Sequence, residues 1–224
     1  MNSTRSAARW IGLMLLAQLV AGPVVSVGLL GPVFQNPPGY LINAAPHAFA
    51  VSLSVLIMLA MGAVSAGIAI AAWPVIRAHS ERMALWLVVL GAACFALTTV
   101  EAAGLMSMLS LSQAYTAAVA PDEVLYQALR GIVGGARNWS HYTQVLSAGG
   151  LLFMLYGALC RFSLVPRPLA AFGMAAALLQ MTAVAMPLFG QRIVFLMLLP
   201  LGVAHLLLAG WLLTKGLREA PAAG

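Results

Sequence analysis

Residues 46–73 read PHAFAVSLSVLIMLAMGAVSAGIAIAAW, with no Asp, Glu, Lys or Arg anywhere in the run. An α-helix rises about 1.5 Å per residue, so this stretch is long enough to cross a hydrocarbon core about 30 Å thick. Five further runs, at 9–30, 82–111, 138–160, 168–187 and 193–214, are of the same kind. Together they predict an all-α integral membrane protein with six transmembrane helices. Composition demands the same answer: 62% hydrophobic residues, 7% charged and a mean hydropathy of +0.98 leave too little polar surface for a soluble fold of 224 residues. The expected organisation is one six-helix bundle over 1–219 and a disordered tail at 220–224, with no internal repeat.

A net charge of +6 and a pI near 10.0 could point to nucleic acid, but the basic residues sit in the gaps between apolar runs and form no single footprint. Their distribution carries topology instead. Arg5, Arg9, Arg77, Arg82, Arg161, Arg167, Lys215 and Arg218 fall on one side of the six spans, and Arg130, Arg137 and Arg192 on the other. Cytoplasmic loops retain Lys and Arg, so both termini are expected in the cytoplasm. The aromatic residues agree, with Trp10, Trp73, Trp86 and Trp211 at the inner boundary and Tyr40, Tyr115, Tyr126, Trp139 and Tyr142 at the outer one. Arg5 and Arg9 ahead of an apolar run resemble the start of a signal peptide, but the run reaches Leu30, longer than such a segment, and reads as an uncleaved first helix. Cys94 and Cys160 lie inside apolar runs and read as small hydrophobes, not as a disulfide framework.

The short basic turns at 74–81 and 161–167 make helices two and three, and four and five, antiparallel neighbours. The outer connections are less regular. Residues 31–40, GPVFQNPPGY, carry prolines and glycines that oppose regular helix, and are expected to cap the outer surface. Ala120-Pro121-Asp122-Glu123 reads as a helix start, and Val124, Leu125, Ala128, Leu129, Ile132 and Val133 then recur at helical spacing. This predicts a short amphipathic helix in the long outer loop between helices three and four, ended by Gly134-Gly135. Pro74, Pro187 and Pro200 read as helix ends or kinks. Gly62 with Ala66 and Gly173 with Ala177, small residues four apart, mark close helix contacts.

Three segments carry a resemblance. Ala8-Arg9-Trp10-Ile11-Gly12-Leu13, Leu109-Ser110-Leu111-Ser112-Gln113-Ala114-Tyr115 and Ser163-Leu164-Val165-Pro166-Arg167-Pro168-Leu169 look like bacterial membrane proteins of domain-of-unknown-function family 4386. The resemblance runs from the first helix into the fifth and implies a helical protein of a bacterial inner membrane. It implies no activity and no functional residues.

Chemistry therefore has to be sought locally. Ionisable groups inside a span are costly and are the first places to look. The densest polar run is Arg137-Asn138-Trp139-Ser140-His141-Tyr142-Thr143-Gln144, in which Arg137, Ser140, His141 and Gln144 share one helical stripe. Glu101 is the only carboxylate within a predicted span, about 28 Å along its helix from Arg82, with Thr98 one turn before it. Arg137 and His141 enter at the same depth on the next helix, so a Glu101–Arg137 or Glu101–His141 pair is the first structural expectation. His47 opens helix two at the same boundary, with Ser54 two turns deeper. His47, Glu101 and His141 are the ligand types of many zinc or iron sites, although a satisfied polar network needs the same residues. His205, near mid-membrane, is expected to hydrogen-bond to a neighbouring helix, and Gln180 lies at a similar depth. The methionines read as flexible core and not as copper ligands, and Arg192 reads as a headgroup anchor.

No Gly-x-Ser-x-Gly, His-Glu-x-x-His, phosphate-binding glycine loop or Cys-x-x-Cys occurs. Three readings stay open. In the first, an outer-leaflet polar pocket of His47, Glu101, Arg137, Asn138, His141 and Gln144 binds a lipophilic small molecule or a membrane partner. In the second, Glu101 and His141 are the acid and base of an intramembrane enzyme acting on a lipid-like substrate, with or without a metal held by His47, Glu101 and His141. In the third, two histidines on neighbouring helices ligate haem. No cofactor is specified by the sequence, and the expected surroundings are the lipid bilayer without nucleic acid.

Overall fold

The computed structural model describes residues 2–218 and, among them, only helices and the turns that join them. The tail expected at 220–224 lies outside the described residues. Six helices are long and apolar enough to cross a membrane: Thr4–Leu29, Ala48–Arg77, Glu81–Ala117, Glu123–Arg161, Arg167–Phe189 and Phe195–Thr214. This is the architecture of a multi-pass membrane protein.

The first helix, α1 (Asn2–Pro23), continues as a π-helical stretch, Val24–Leu29. Two single turns follow, α2 (Gly31–Phe34) and α3 (Tyr40–Asn43), on either side of the Asn36-Pro37-Pro38-Gly39 corner. The segment 31–40 is thus only partly irregular. Pro32 stands in the first turn of α2, where a missing N–H costs nothing, and Gly39 takes a positive φ of 102° that favours glycine. The second span is α4 (Ala48–Arg77), which runs through Pro74 and stops within a turn of it. Ser80 accepts a bond from the Met83 N–H at 3.4 Å and caps α5 (Glu81–Ala117), whose first turn carries Glu81.

The largest departure from the sequence reading is at the fourth span. Asp122 caps it through the Leu125 N–H at 3.1 Å, at the predicted start, but the helix α6 then runs unbroken from Glu123 to Arg161. The amphipathic segment is its first turns, and Gly134-Gly135 lies inside it. A glycine costs a helix only about 1 kcal/mol, and here Tyr40 packs 3.3 Å from where a Gly134 side chain would begin. α7 (Arg167–Ala185) passes into a 3-10 turn, Met186–Phe189, that closes on Gly190 at φ 71°. After a second 3-10 turn, Phe195–Leu198, α8 (Leu199–Thr214) carries Pro200 in its first turn.

The chain divides into two compact units. The first comprises residues up to Leu19, Ala63–Phe95 and the stretch from Val145 onward. Its core joins Ile11 and Leu15 of α1, Ile68 and Ile76 of α4, Leu155 and Tyr156 of α6, and Leu208 and Leu212 of α8. Small residues set the approach here. A Cβ on Gly91 would stand 3.0 Å from Ala69 and 3.2 Å from the Ala66 backbone, and a Cβ on Gly173 would fall within the Tyr156 ring. The second unit comprises Val20–Gly62 and Ala96–Gln144, with Val25, Leu30, Val33, Tyr40, Ala44, Val51, Leu105, Met108 and Leu109 as its core. Polar pins hold the irregular segment in place. The Tyr40 hydroxyl donates to the Arg130 carbonyl at 2.8 Å, and the Ala45 N–H donates to Ser112 Oγ at 2.9 Å. Burial pushes the Tyr40 phenol above its usual range, so it remains a donor.

Gly173→Ala is expected to destabilise the protein by about 1–3 kcal/mol through overpacking against Tyr156. Gly150→Ala, with no atom within 4 Å of the new methyl, should be neutral or stabilising by up to about 1 kcal/mol. Equilibrium unfolding of both variants in bicelles checks the contrast.

Candidate functional site

Glu101 is 3% exposed on α5, an otherwise apolar helix. Its Oε1 accepts a bond from Arg137 Nη2 at 3.0 Å and meets His141 Nδ1 at 2.8 Å, so both expected partners reach the same oxygen. The two partners are one helical turn apart on α6, which is why a single carboxylate can hold both. Thr98 and Gln144 continue the contact one turn away, with Gln144 Nε2 donating to Thr98 Oγ1 at 3.3 Å. The predicted stripe thus faces α5 at three of its four positions. At the fourth, the Ser140 hydroxyl donates back to the Arg137 carbonyl at 2.8 Å.

Two residues of this site have no ionisable group and escaped the sequence reading. Phe34, in α2, lies under the Arg137 guanidinium, 5.1 Å from ring centroid to Cζ. Gly104, one turn beyond Glu101, lets α6 approach. A Cβ there would stand 3.3 Å from that of Arg137. The aromatic at the end of an apolar loop and the lone glycine after the lone carboxylate were the available signals, and neither is specific.

Exposure differs sharply within the cluster. The Arg137 side chain is 14% exposed and that of His141 40%. Arg137 is paired with Glu101 and packed on the Phe34 ring, so it is a fixed charge. His141 is tied at Nδ1 and open on its other side. A carboxylate that orients an imidazole through Nδ1 fixes the tautomer that the ring presents at Nε2.

The other expected members do not join. His47 is exposed, and its Nδ1 meets the Asn43 carbonyl at 2.8 Å, which closes the turn between α3 and α4. Asn138 is exposed. Ser54 is buried, but its hydroxyl returns to the Ala50 carbonyl of its own helix at 2.7 Å. Among the described residues, no three His, Cys, Asp or Glu side chains come together in a way that could hold a metal. The trio of His47, Glu101 and His141 is therefore a pair, because the backbone of the preceding turn engages the first histidine. In the first unit, His205 stands beside Tyr156, with ring centroids 6.4 Å apart. The interhelical hydrogen bond expected of it does not form at Nε2.

The model of a family described as Domain of unknown function (DUF4386) matches residues 10–216. Neither the curated proteins nor the solved structures contain a match to the chain.

Removing one partner of a buried pair leaves the other charge uncompensated. Glu101→Leu is expected to cost about 3–5 kcal/mol in an unfolding measurement, and Arg137→Leu a comparable amount. The double variant Glu101→Leu/Arg137→Leu should recover most of that loss, because no buried charge remains.

Proposed function

The chain belongs to the family described as Domain of unknown function (DUF4386), and from that premise we propose a binding module of a bacterial inner membrane. In this reading both termini are cytoplasmic, and the Glu101–Arg137–His141 cluster takes the polar end of a lipophilic small molecule at the outer face of the bilayer. The observation that carries the proposal is the combination of a charged pair fixed in depth with a half-open imidazole beside it. A purely structural pair needs no third polar group left accessible.

Depth supports the outer face. Glu101 lies about 30 Å along α5 from Glu81, and His141 lies about 30 Å along α6 from Arg161. Those starting points adjoin the basic turns that the charge rule assigns to the cytoplasm. The cluster then sits at the far edge of the hydrocarbon, where a ligand can keep its tail in lipid and its head at the boundary. With its Nδ1–H given to Glu101, His141 presents the Nε2 lone pair there, so the recognised group is a donor: a hydroxyl or an N–H.

One observation favours a second reading, in which the same residues do acid–base work on a lipid-like substrate. The 2.8 Å contact between His141 Nδ1 and Glu101 is the geometry of an oriented general base, with Nε2 left for the substrate.

The test is extraction of wild-type protein and a His141→Gln variant from their own membranes, with mass spectrometry of the organic extract. Binding predicts a lipid-soluble species enriched over bulk membrane lipid in the wild type and reduced roughly tenfold in the variant, the cost of one hydrogen bond. Identical extracts from the two proteins would refute it. The enzymatic reading predicts instead a product that accumulates in proteoliposomes of native lipid with wild-type protein and not with Glu101→Gln. Equal product with both ends that reading.

A further inference from the structure

Tyr156 of α6 is completely buried in the core of the first unit, and its hydroxyl reaches no hydrogen-bonding group among the described residues. Its ring lies directly over Gly173 of α7, where any side chain would overlap it. The imidazole of His205, on α8, is the neighbouring ring at 6.4 Å, and its Nε2 is likewise buried without a partner. Two such atoms on neighbouring rings are unusual. Each is destabilising when left unsatisfied, and in hydrocarbon no bulk water makes up the loss. Phenylalanine would fill the same seat over Gly173 without that penalty. A buried phenol and a buried imidazole on neighbouring rings are instead complementary to a shared partner. The phenol donates, and the imidazole donates or accepts according to its tautomer.

We propose that Tyr156 and His205 form a second polar site, separate from Glu101, in which one oxygen atom from outside the chain bridges the phenol and the imidazole. That oxygen accepts the Tyr156 O–H and takes its other hydrogen bond from or to His205 Nε2. A trapped water has this chemistry, and so does the carbonyl or hydroxyl end of a lipid-soluble molecule threaded among α6, α7 and α8. The site is independent of the proposal for the outer face, since it shares no residue with it and lies in the other unit.

The experiment is a double-mutant cycle on full-length protein in nanodiscs, using Tyr156→Phe, His205→Leu and both together, read as melting temperature. Mass spectrometry of the extracted small molecules accompanies each variant. A bridging oxygen predicts that each single variant melts lower, by about 2–4 °C for every kcal/mol lost. It also predicts that the double variant is no worse than the poorer single one, because either change removes the same bridge. If a small molecule present with wild type is depleted with Tyr156→Phe, the oxygen belongs to that molecule. If the extracts match while the melting losses stay non-additive, the oxygen is water. Tyr156→Phe melting at or above the wild-type temperature overturns the proposal, since that is the behaviour of a dry, unsatisfied hydroxyl. Two losses that simply add overturn it as well. His205→Gln, which keeps a hydrogen-bonding group, should melt closer to wild type than His205→Leu. It replaces the leucine variant in the cycle if that protein does not fold.

Discussion

A carboxylate that is 3% exposed in the middle of an apolar helix has to be matched, because the charge would otherwise lose its hydration without compensation. Much of the second unit's detail follows from meeting that demand at Glu101. Arg137 and His141 must sit one turn apart on α6 to reach one oxygen. Gly104 must lack a side chain so that α6 can approach, and Phe34 covers the guanidinium from α2. The irregular segment that delivers Phe34 is itself pinned, by Tyr40 to the Arg130 carbonyl and by Ala45 to Ser112. A buried pair of this kind contributes little net stability compared with an apolar replacement, and its value lies in the alignment it enforces.

Helix length gives that alignment a setting. α5 and α6 would extend roughly 55–60 Å if straight, nearly twice what a hydrocarbon core requires, whereas α8 is little more than 24 Å long. A polar residue early in α6 is therefore not automatically a residue in lipid.

The spans were readable because a membrane helix announces itself by length and scarcity of charge, and the run at 46–73, with no charge at all, needed no further information. The Glu101 pairing was readable too, since one carboxylate and two nitrogen bases at matching depth leave few other solutions. What failed did so for local reasons. Gly134-Gly135 looked like a break, yet a helix tolerates glycine where an aromatic such as Tyr40 packs on it. His47 looked like a ligand because depth alone was used, and depth does not reveal that the Asn43 carbonyl already holds its ring. Phe34 was hidden because the contact that matters is to a residue 103 positions later, on a helix that sequence spacing cannot orient. His205 is expected to have a partner by the general rule that buried polar groups are satisfied, and the described residues supply none at Nε2.

The central claim is that Glu101 gathers Arg137 and His141 into one network. Nitrogen-15 spectroscopy of the histidine rings in nanodiscs, compared between wild type and Glu101→Gln, tests it most directly. The account predicts that the Nδ1 resonance of His141, identified by its loss in His141→Gln, moves markedly when Glu101 is neutralised, while the resonances of His79, in the short turn after α4, stay where they were. A His141 resonance indifferent to Glu101 would contradict it.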